Sequence, residues 1–266
     1  MRKLLVFFTS AAVFALIAAC PVSWGAAAGD VLDEMIRNYH RRIEGIDDYV
    51  IVTEEYTSYH KKTVVDGWPA FDVRVEIKDG VPLSEMASEA SHDTLFDRQT
   101  FERLKANARY EGTGQVDGFR THVIRVDAIS GLFPEAADEM KSLRIYIDSG
   151  EFLLRRMKFE VETELRPGEK MVVEPVITLR DYRDVEGMKI PFETVTVIEG
   201  INEQITDAQR EEIRKGLEEL DRQMDMVPPA LRERMEEARE QMKKLLEDDR
   251  MEFRAKVKEV KVNTGL

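Results

Sequence analysis

The stretch Leu179–Gly200, LRDYRDVEGMKIPFETVTVIEG, decides the fold. Ahead of its centre Val176, Thr178, Arg180 and Tyr182 alternate with Ile177 and Leu179. Beyond Glu186-Gly187, the residues Met188, Ile190, Phe192, Thr194, Thr196 and Ile198 resume the same period of two. Successive side chains of a strand point to opposite faces, so the pattern predicts two long strands joined at a tight turn. Gly187 suits that turn because glycine accepts a positive φ. Pro191 has no N–H to donate, which predicts an edge or bulged position for the second strand.

Outward from this hairpin the period of two recurs. Phe71, Val73, Val75 and Ile77 share one face against Asp72, Arg74 and Glu76 on the other. In the same way Met157, Phe159 and Val161 face away from Lys158, Glu160 and Glu162. Further strands are predicted over Tyr49–Tyr59, Phe119–Asp127, Leu143–Ile147, Phe152–Leu165 and Phe253–Val262, with a hairpin turn at Asp148-Ser149-Gly150. Gly112-Thr113-Gly114 with Gly118 mimics a phosphate-cradling loop, but a strand rather than a helix follows, so it reads as a hairpin turn. A helix is predicted over Asp30–Ile43, where Val31, Met35, Ile36 and Tyr39 are spaced helically and Asp30 is placed to cap it. Short helices are expected within Leu83–Ala108, one of them capped by Asp97. A flap is expected around Leu132-Phe133-Pro134. About eight to eleven strands in succession, interrupted by helices, spell an antiparallel α+β fold rather than alternating β-α units. Such a wide sheet with apolar faces must curl or be covered.

Asp181-Tyr182-Arg183, the acidic-Gly turn, Met188-Lys189-Ile190-Pro191-Phe192 and the trailing Gly200 together resemble the periplasmic outer-membrane lipoprotein-sorting proteins, the LolA/LolB-like carrier superfamily. Two further stretches are similar to that family: Tyr110-Glu111-Gly112 with Val116-Asp117-Gly118, and Arg144-Ile145-Tyr146-Ile147-Asp148 leading into Leu153. The resemblance spans roughly Asp30 to Gly200 and the final strand. It implies an incomplete, half-open antiparallel β-barrel with covering helices, and a hollow between sheet and helices that shields acyl chains of a lipoprotein or lipid in the periplasm. It also implies a membrane-bound donor or acceptor protein as partner. The apolar faces Phe71, Val73, Val75, Ile77, Met157, Phe159 and Val161 are the candidate lining, their plain alternative being ordinary packing under the N-terminal helix. A second function is open to the same fold: a periplasmic lipid or envelope-stress sensor that binds a protein partner.

Composition bounds these readings. The chain has 266 residues and a formal charge of −13, with 43% hydrophobic residues, enough for a globular core. Its acidity argues against nucleic acid and against electrostatic docking on anionic lipid. Residues 1–28 read as an export signal: Arg2-Lys3, an apolar run from Leu4 to Ala19, then Gly25-Ala26-Ala27-Ala28. The alternative is a lipoprotein signal, because Ile17-Ala18-Ala19-Cys20 resembles the bacterial lipobox, which would lipidate Cys20. The expected location is therefore the periplasm, free or anchored at a periplasm-facing membrane. Residues 29–266 form a single carrier-like domain.

That domain carries an insertion at about 204–250 that departs from the family pattern. Thr206-x-x-Gln209 is a capping box, and Ile213, Leu217, Leu220, Met224 and Val227 recur at spacings of four and three. After Pro228-Pro229 the residues Leu231, Met235, Ala238, Met242 and Leu245 do the same, which predicts an antiparallel helical hairpin before the last strand. It is either self-contained or a lid or docking arm over the hollow.

No catalytic constellation is found. His40, His60, His92 and His122 lie in unrelated contexts without metal-ligand spacing. Ser58-Tyr59-His60-Lys61 has the Ser-x-x-Lys spacing of penicillin-recognising enzymes but lies in a strand region without the companion motifs. The reading is a binding protein, not an enzyme, with no cofactor and no metal.

Overall fold

The computed structural model describes residues 24–54, 56–77, 98–127, 140–166, 169–200, 206–224 and 229–266. In chain order the elements are α1 (Trp24–Arg42), β1 (Asp48–Thr53), β2 (Tyr56–Val65), β3 (Trp68–Ile77), α2 (Arg98–Ala106), β4 (Ala108–Val116), β5 (Phe119–Val126), β6 (Met140–Asp148) and β7 (Leu154–Arg166). They continue with β8 (Glu169–Val173), β9 (Val176–Val185), β10 (Met188–Glu199), α3 (Asp207–Gln223), α4 (Pro229–Asp248) and β11 (Arg250–Val262). All strands join one antiparallel sheet of 11 strands in the order β3-β2-β1-β11-β10-β9-β7-β6-β5-β4, with β8 branching off β7. The ends β3 and β4 do not pair, so the sheet stays open.

The quoted hairpin is β9–β10, with Met188 opposite Val185 at the turn and Val197 opposite Val176 at the far end. Its second strand is not an edge: β10 lies between β9 and β11. The ladder absorbs Pro191 by a local irregularity instead, for Phe192 has no partner in the register and Asp181, across from it, sits at φ 49°. The predicted strand Tyr49–Tyr59 is two strands, because Thr53 turns the chain: its Oγ1 accepts from the Tyr56 N–H at 3.0 Å and donates to the Tyr56 carbonyl at 3.1 Å. Asp30 does not cap α1, which begins six residues earlier at Trp24, since Ala26-Ala27-Ala28 continue the helix with the residue that favours it most. Asp97, the flap at Leu132-Phe133-Pro134, Cys20 and most of the export signal lie outside the described residues.

One face of the sheet receives α1. In the first core Ala28, Leu32, Met35 and Ile36 of α1 pack with Phe101 and Leu104 of α2 and with Ala108, Ile124, Val126, Leu143, Ile145 and Ile147 of β4, β5 and β6. In the second, Ile43 and Ile46 just beyond α1 meet Tyr49, Phe71, Met188, Ile190 and Phe192. Both ends of the sheet therefore reach the same helices. Trp68 of β3 touches His40 of α1 at 4.9 Å and Phe101 of α2 at 5.5 Å between ring centroids, while Ala108 of β4 lies in the core beneath them. The sheet curls around α1 without closing.

The α1–β1 junction is tied down by the chain's last residues. The Asp48 carboxylate accepts from the Thr264 N–H and hydroxyl (2.6 and 2.5 Å), the Gly265 N–H (2.9 Å) and the Leu266 N–H (3.2 Å). Lys62 donates to the carbonyls of Ile43 and Glu44, and the Ile46 N–H also donates to Ile43, so the carbonyls just beyond α1 are satisfied.

Candidate functional site: the uncovered half of the inner face

In an antiparallel pair, residues directly opposite one another share a face, so the register assigns every strand residue to the side of α1 or to the outside. From β9 the inner row runs through Ile177–Thr196 and Leu179–Thr194 into Ile198–Met251, Thr196–Phe253 and Thr194–Ala255. It continues through Val257–Thr53 and Val260–Ile51 into Ile51–Ser58 and Ser58–Val75, with Val73 opposite His60. On the other flank Ile177 pairs with Met157, Met157 with Ile145 and Phe159 with Leu143, while Val161 faces Val173.

Six of the candidate lining residues, Phe71, Val73, Val75, Met157, Phe159 and Val161, thus share one face, but on two arms of the curl. Phe71 is 5% exposed and belongs to the second core, its ring edge-on to Tyr49 at 4.9 Å. Met157 and Phe159 are half-buried against the first core, Val161 half-buried beyond it, and Val73 and Val75 half-buried on β3, outside both cores. Ile77 ends β3, paired with Tyr56. The space directly under α1 is filled by side chains. Beyond α1, among the described residues, the inner face is packed less tightly: Thr194, Thr196, Ile198, Met251 and Ala255 are half-buried and Phe253 is 43% exposed, and none of them belongs to either core.

This half was missed from the sequence because β11 reads as a charged strand, with Arg254, Lys256 and Lys258 between its apolar residues. The signal was the alternation Met251, Phe253, Ala255, Val257, which only its pairing with β10 turns toward the helices. Here α3 and α4 are also rooted. Glu199 pairs with Arg250, and the Gly200 N–H donates to Asp249 Oδ2 at 3.1 Å, so the inserted segment leaves and rejoins the sheet at one point. The capping box holds the start of α3, where Gln209 N–H donates to Thr206 Oγ1 and Thr206 N–H to Gln209 Oε1. An Arg239–Asp221 ion pair links α4 to α3.

The opposite end of the curl is shut by polar groups. Asp117 in the β4–β5 turn pairs with Arg180 of β9 at 2.7 Å, although β9 and β4 are four strand spacings apart, roughly 19 Å in a flat sheet. Beside them Arg155 and Asp148 form an ion pair at 2.8 Å with side chains only 9% and 5% exposed. Asp148 also accepts from the N–H groups of Gly150 and Glu151. The Arg155 guanidinium lies over the rings of Phe119 at 3.8 Å and Tyr182 at 4.8 Å, and the Tyr182 hydroxyl donates to the Leu154 carbonyl at 2.5 Å. Burial pushes the Tyr182 hydroxyl far above its ordinary range, so it stays a donor. The cleft left there has a volume of about 290 Å³ and is walled by Val116, Phe119, Arg155, Leu179 and Arg180. Val116-Asp117, Asp148 and Asp181-Tyr182, taken from three distant stretches that carry the family resemblance, meet in this one closure.

Chemistry of the hydrolytic kind has no foothold at Ser58. Ser58 and His60 are hydrogen-bonded at 2.9 Å but buried, and His60 is stacked on Tyr49 at 4.1 Å. Lys61 is exposed and, three residues on in a strand, faces the other way.

No family model matches the chain, and no curated protein matches it. Solved structures do. The chain is similar to a DUF1329 family protein from Desulfovibrio piger, with a TM-score of 0.43 and 10% identity over 90% of this chain and 94% of that one. It is similar to a candidate outer membrane lipoprotein-sorting protein domain from Vibrio parahaemolyticus, with a TM-score of 0.43 and 10% identity over 91% and 94%. It is also similar to the Mycobacterium tuberculosis lipoprotein LppX, with a TM-score of 0.27 and 16% identity over 50% and 88%.

Proposed function

We propose that this chain binds the acyl chains of a lipoprotein or lipid on the open half of its inner face and shields them from water in the periplasm. The observation that carries the reading is the apolar row from Ile177 on β9 to Val75 on β3, which meets the second core only at Ile51, Val257 and Val260 and has Phe253 at 43% exposure in its middle. A contiguous apolar surface left open inside a curled sheet is what a greasy ligand needs. Burying about ten acyl methylenes there contributes roughly 8 kcal/mol before ordering costs. Val73, Val75, Met157, Phe159 and Val161 form the two walls, Phe71 backs them, and Ile198, Met251 and Phe253 form the floor. The helices α3 and α4 form an antiparallel hairpin at the rim.

Export by the N-terminal segment supplies the location, and delivery requires a membrane-bound donor or acceptor. Native mass spectrometry and lipid extraction of protein purified from the periplasm test the reading. Lipid or lipoprotein is expected to copurify with the wild type and to be lost from Phe253→Arg. A lipid-free wild type with a stoichiometric protein partner would instead favour the sensor.

A further inference from the structure

The chemistry of the trough wall narrows the ligand further, on the premise that the trough binds lipid at all. Among the described residues the register places Ile177, Leu179, Thr194, Thr196, Ile198, Met251, Phe253, Ala255, Val257, Ile51, Thr53, Tyr56, Ser58, Val73 and Val75 on this half of the inner face, and none is charged. In a chain with 34% charged residues this is a marked depletion. The charges nearby are directed elsewhere. Arg254 lies on the outer face, bonded to Glu252 and Glu193, and Glu54 meets Lys258 in the turn beyond β1. The inner-face cations are engaged elsewhere: Lys62 at the α1 end of the sheet by the Ile43 and Glu44 carbonyls, Arg155, which walls the polar closure with Leu179, by Asp148, and Arg183, over the Phe192 ring, by Asp181.

Polarity within the trough comes from hydroxyls. Thr53 is engaged with Tyr56, and Ser58 with His60. Thr194 and Thr196 stand two residues apart on β10, flanked by Leu179 and Ile177 on one side and by Ala255 and Phe253 on the other. Hydroxyls set among aliphatic and aromatic side chains match an ester carbonyl. A carboxylate or phosphate in their place would be desolvated with no cation to meet it, a large penalty.

We infer that the trough takes the uncharged, ester-linked part of a lipid. Acyl chains lie along the aliphatic rows, the ester linkages rest at Thr194 and Thr196, and any charged headgroup stays outside. The test is displacement of the neutral dye Nile red from the full chain by monolaurin and by laurate at pH 8, two ligands with the same tail. Monolaurin is expected to displace the dye at a concentration at least about tenfold below that needed for laurate. Thr194→Val with Thr196→Val is expected to weaken monolaurin several-fold and leave the dye bound as before. Thr196→Lys, checked for wild-type circular dichroism, is expected to reverse the preference in favour of laurate. Equal affinities in the wild type, or a folded Thr196→Lys that gains nothing for laurate, overturn the inference while leaving acyl binding intact. A wild type that binds neither the dye nor either ligand sinks the acyl-binding reading itself, and the ester assignment with it.

Discussion

At the scale of single residues, the closure around Arg155 and Asp148 is the point most sensitive to change. Both side chains are buried, so removing one strands the other's charge, and either Arg155→Ala or Asp148→Ala should cost about 3–5 kcal/mol, read from the shift in urea midpoint. Exposed pairs such as Arg74–Glu76 should cost under about 1 kcal/mol. Titration gives a second handle. Burial lowers His40 and His122 below the ordinary 6.5, with Arg120 adding to the effect on His122 and Asp148 opposing it. As pH falls through 6.5 the unfolded chain takes up these protons first. Stability should therefore hold at pH 7.5 and decline toward pH 5.5, and His40→Phe should flatten the decline in urea midpoint. Asp48 acts at more acid pH. The Thr264 hydroxyl, with backbone N–H groups of Thr264, Gly265 and Leu266, holds its carboxyl below 3.8, so that contribution is lost only as pH falls through this lower value.

At the scale of elements, the insert hangs from a single hairpin. Because Glu199 pairs with Arg250 and Gly200 meets Asp249, replacing residues 201–248 by a short turn joins strands already in register. The excised protein should keep its β-sheet circular dichroism and unfold within about 1–2 kcal/mol of the full chain, the range of an ordinary loop change. Loss of the sheet signal would mean that α3 and α4 hold β10 and β11 together. In the helix α1 the reverse holds, since it supplies Leu32 and Ile36 to the core and cannot be spared.

For the whole molecule, the decisive property is that the cores under α1 are full, while among the described residues the inner face beyond them is only half-buried, with Phe253 at 43% exposure. A ligand that occupies only the folded trough must stabilise the fold by mass action. A neutral acyl ligand at a hundred times its Kd should add about 2.7 kcal/mol, seen as a raised Tm. Val75→Asp, on the β3 wall, should abolish that increment while changing the Tm without ligand little, because Val75 lies outside both cores.

The local patterns were legible in the chain itself. The period of two around Glu186-Gly187 defined β9 and β10, the alternations at Phe71 and Met157 named two inner-face rows, and Thr206 with Gln209 marked the start of α3. These are short-range facts, set by side-chain alternation and capping, and they survive in any context. What the sequence could not decide was which apolar face would be covered. Phe71 went into a core and Phe253 stayed open, though both stand in alternating strands. Only the curl of the sheet, brought about by contacts such as Arg180 with Asp117 and Trp68 with α1, determines how far one helix reaches across it. Those contacts join residues far apart in the chain, and no local periodicity encodes them.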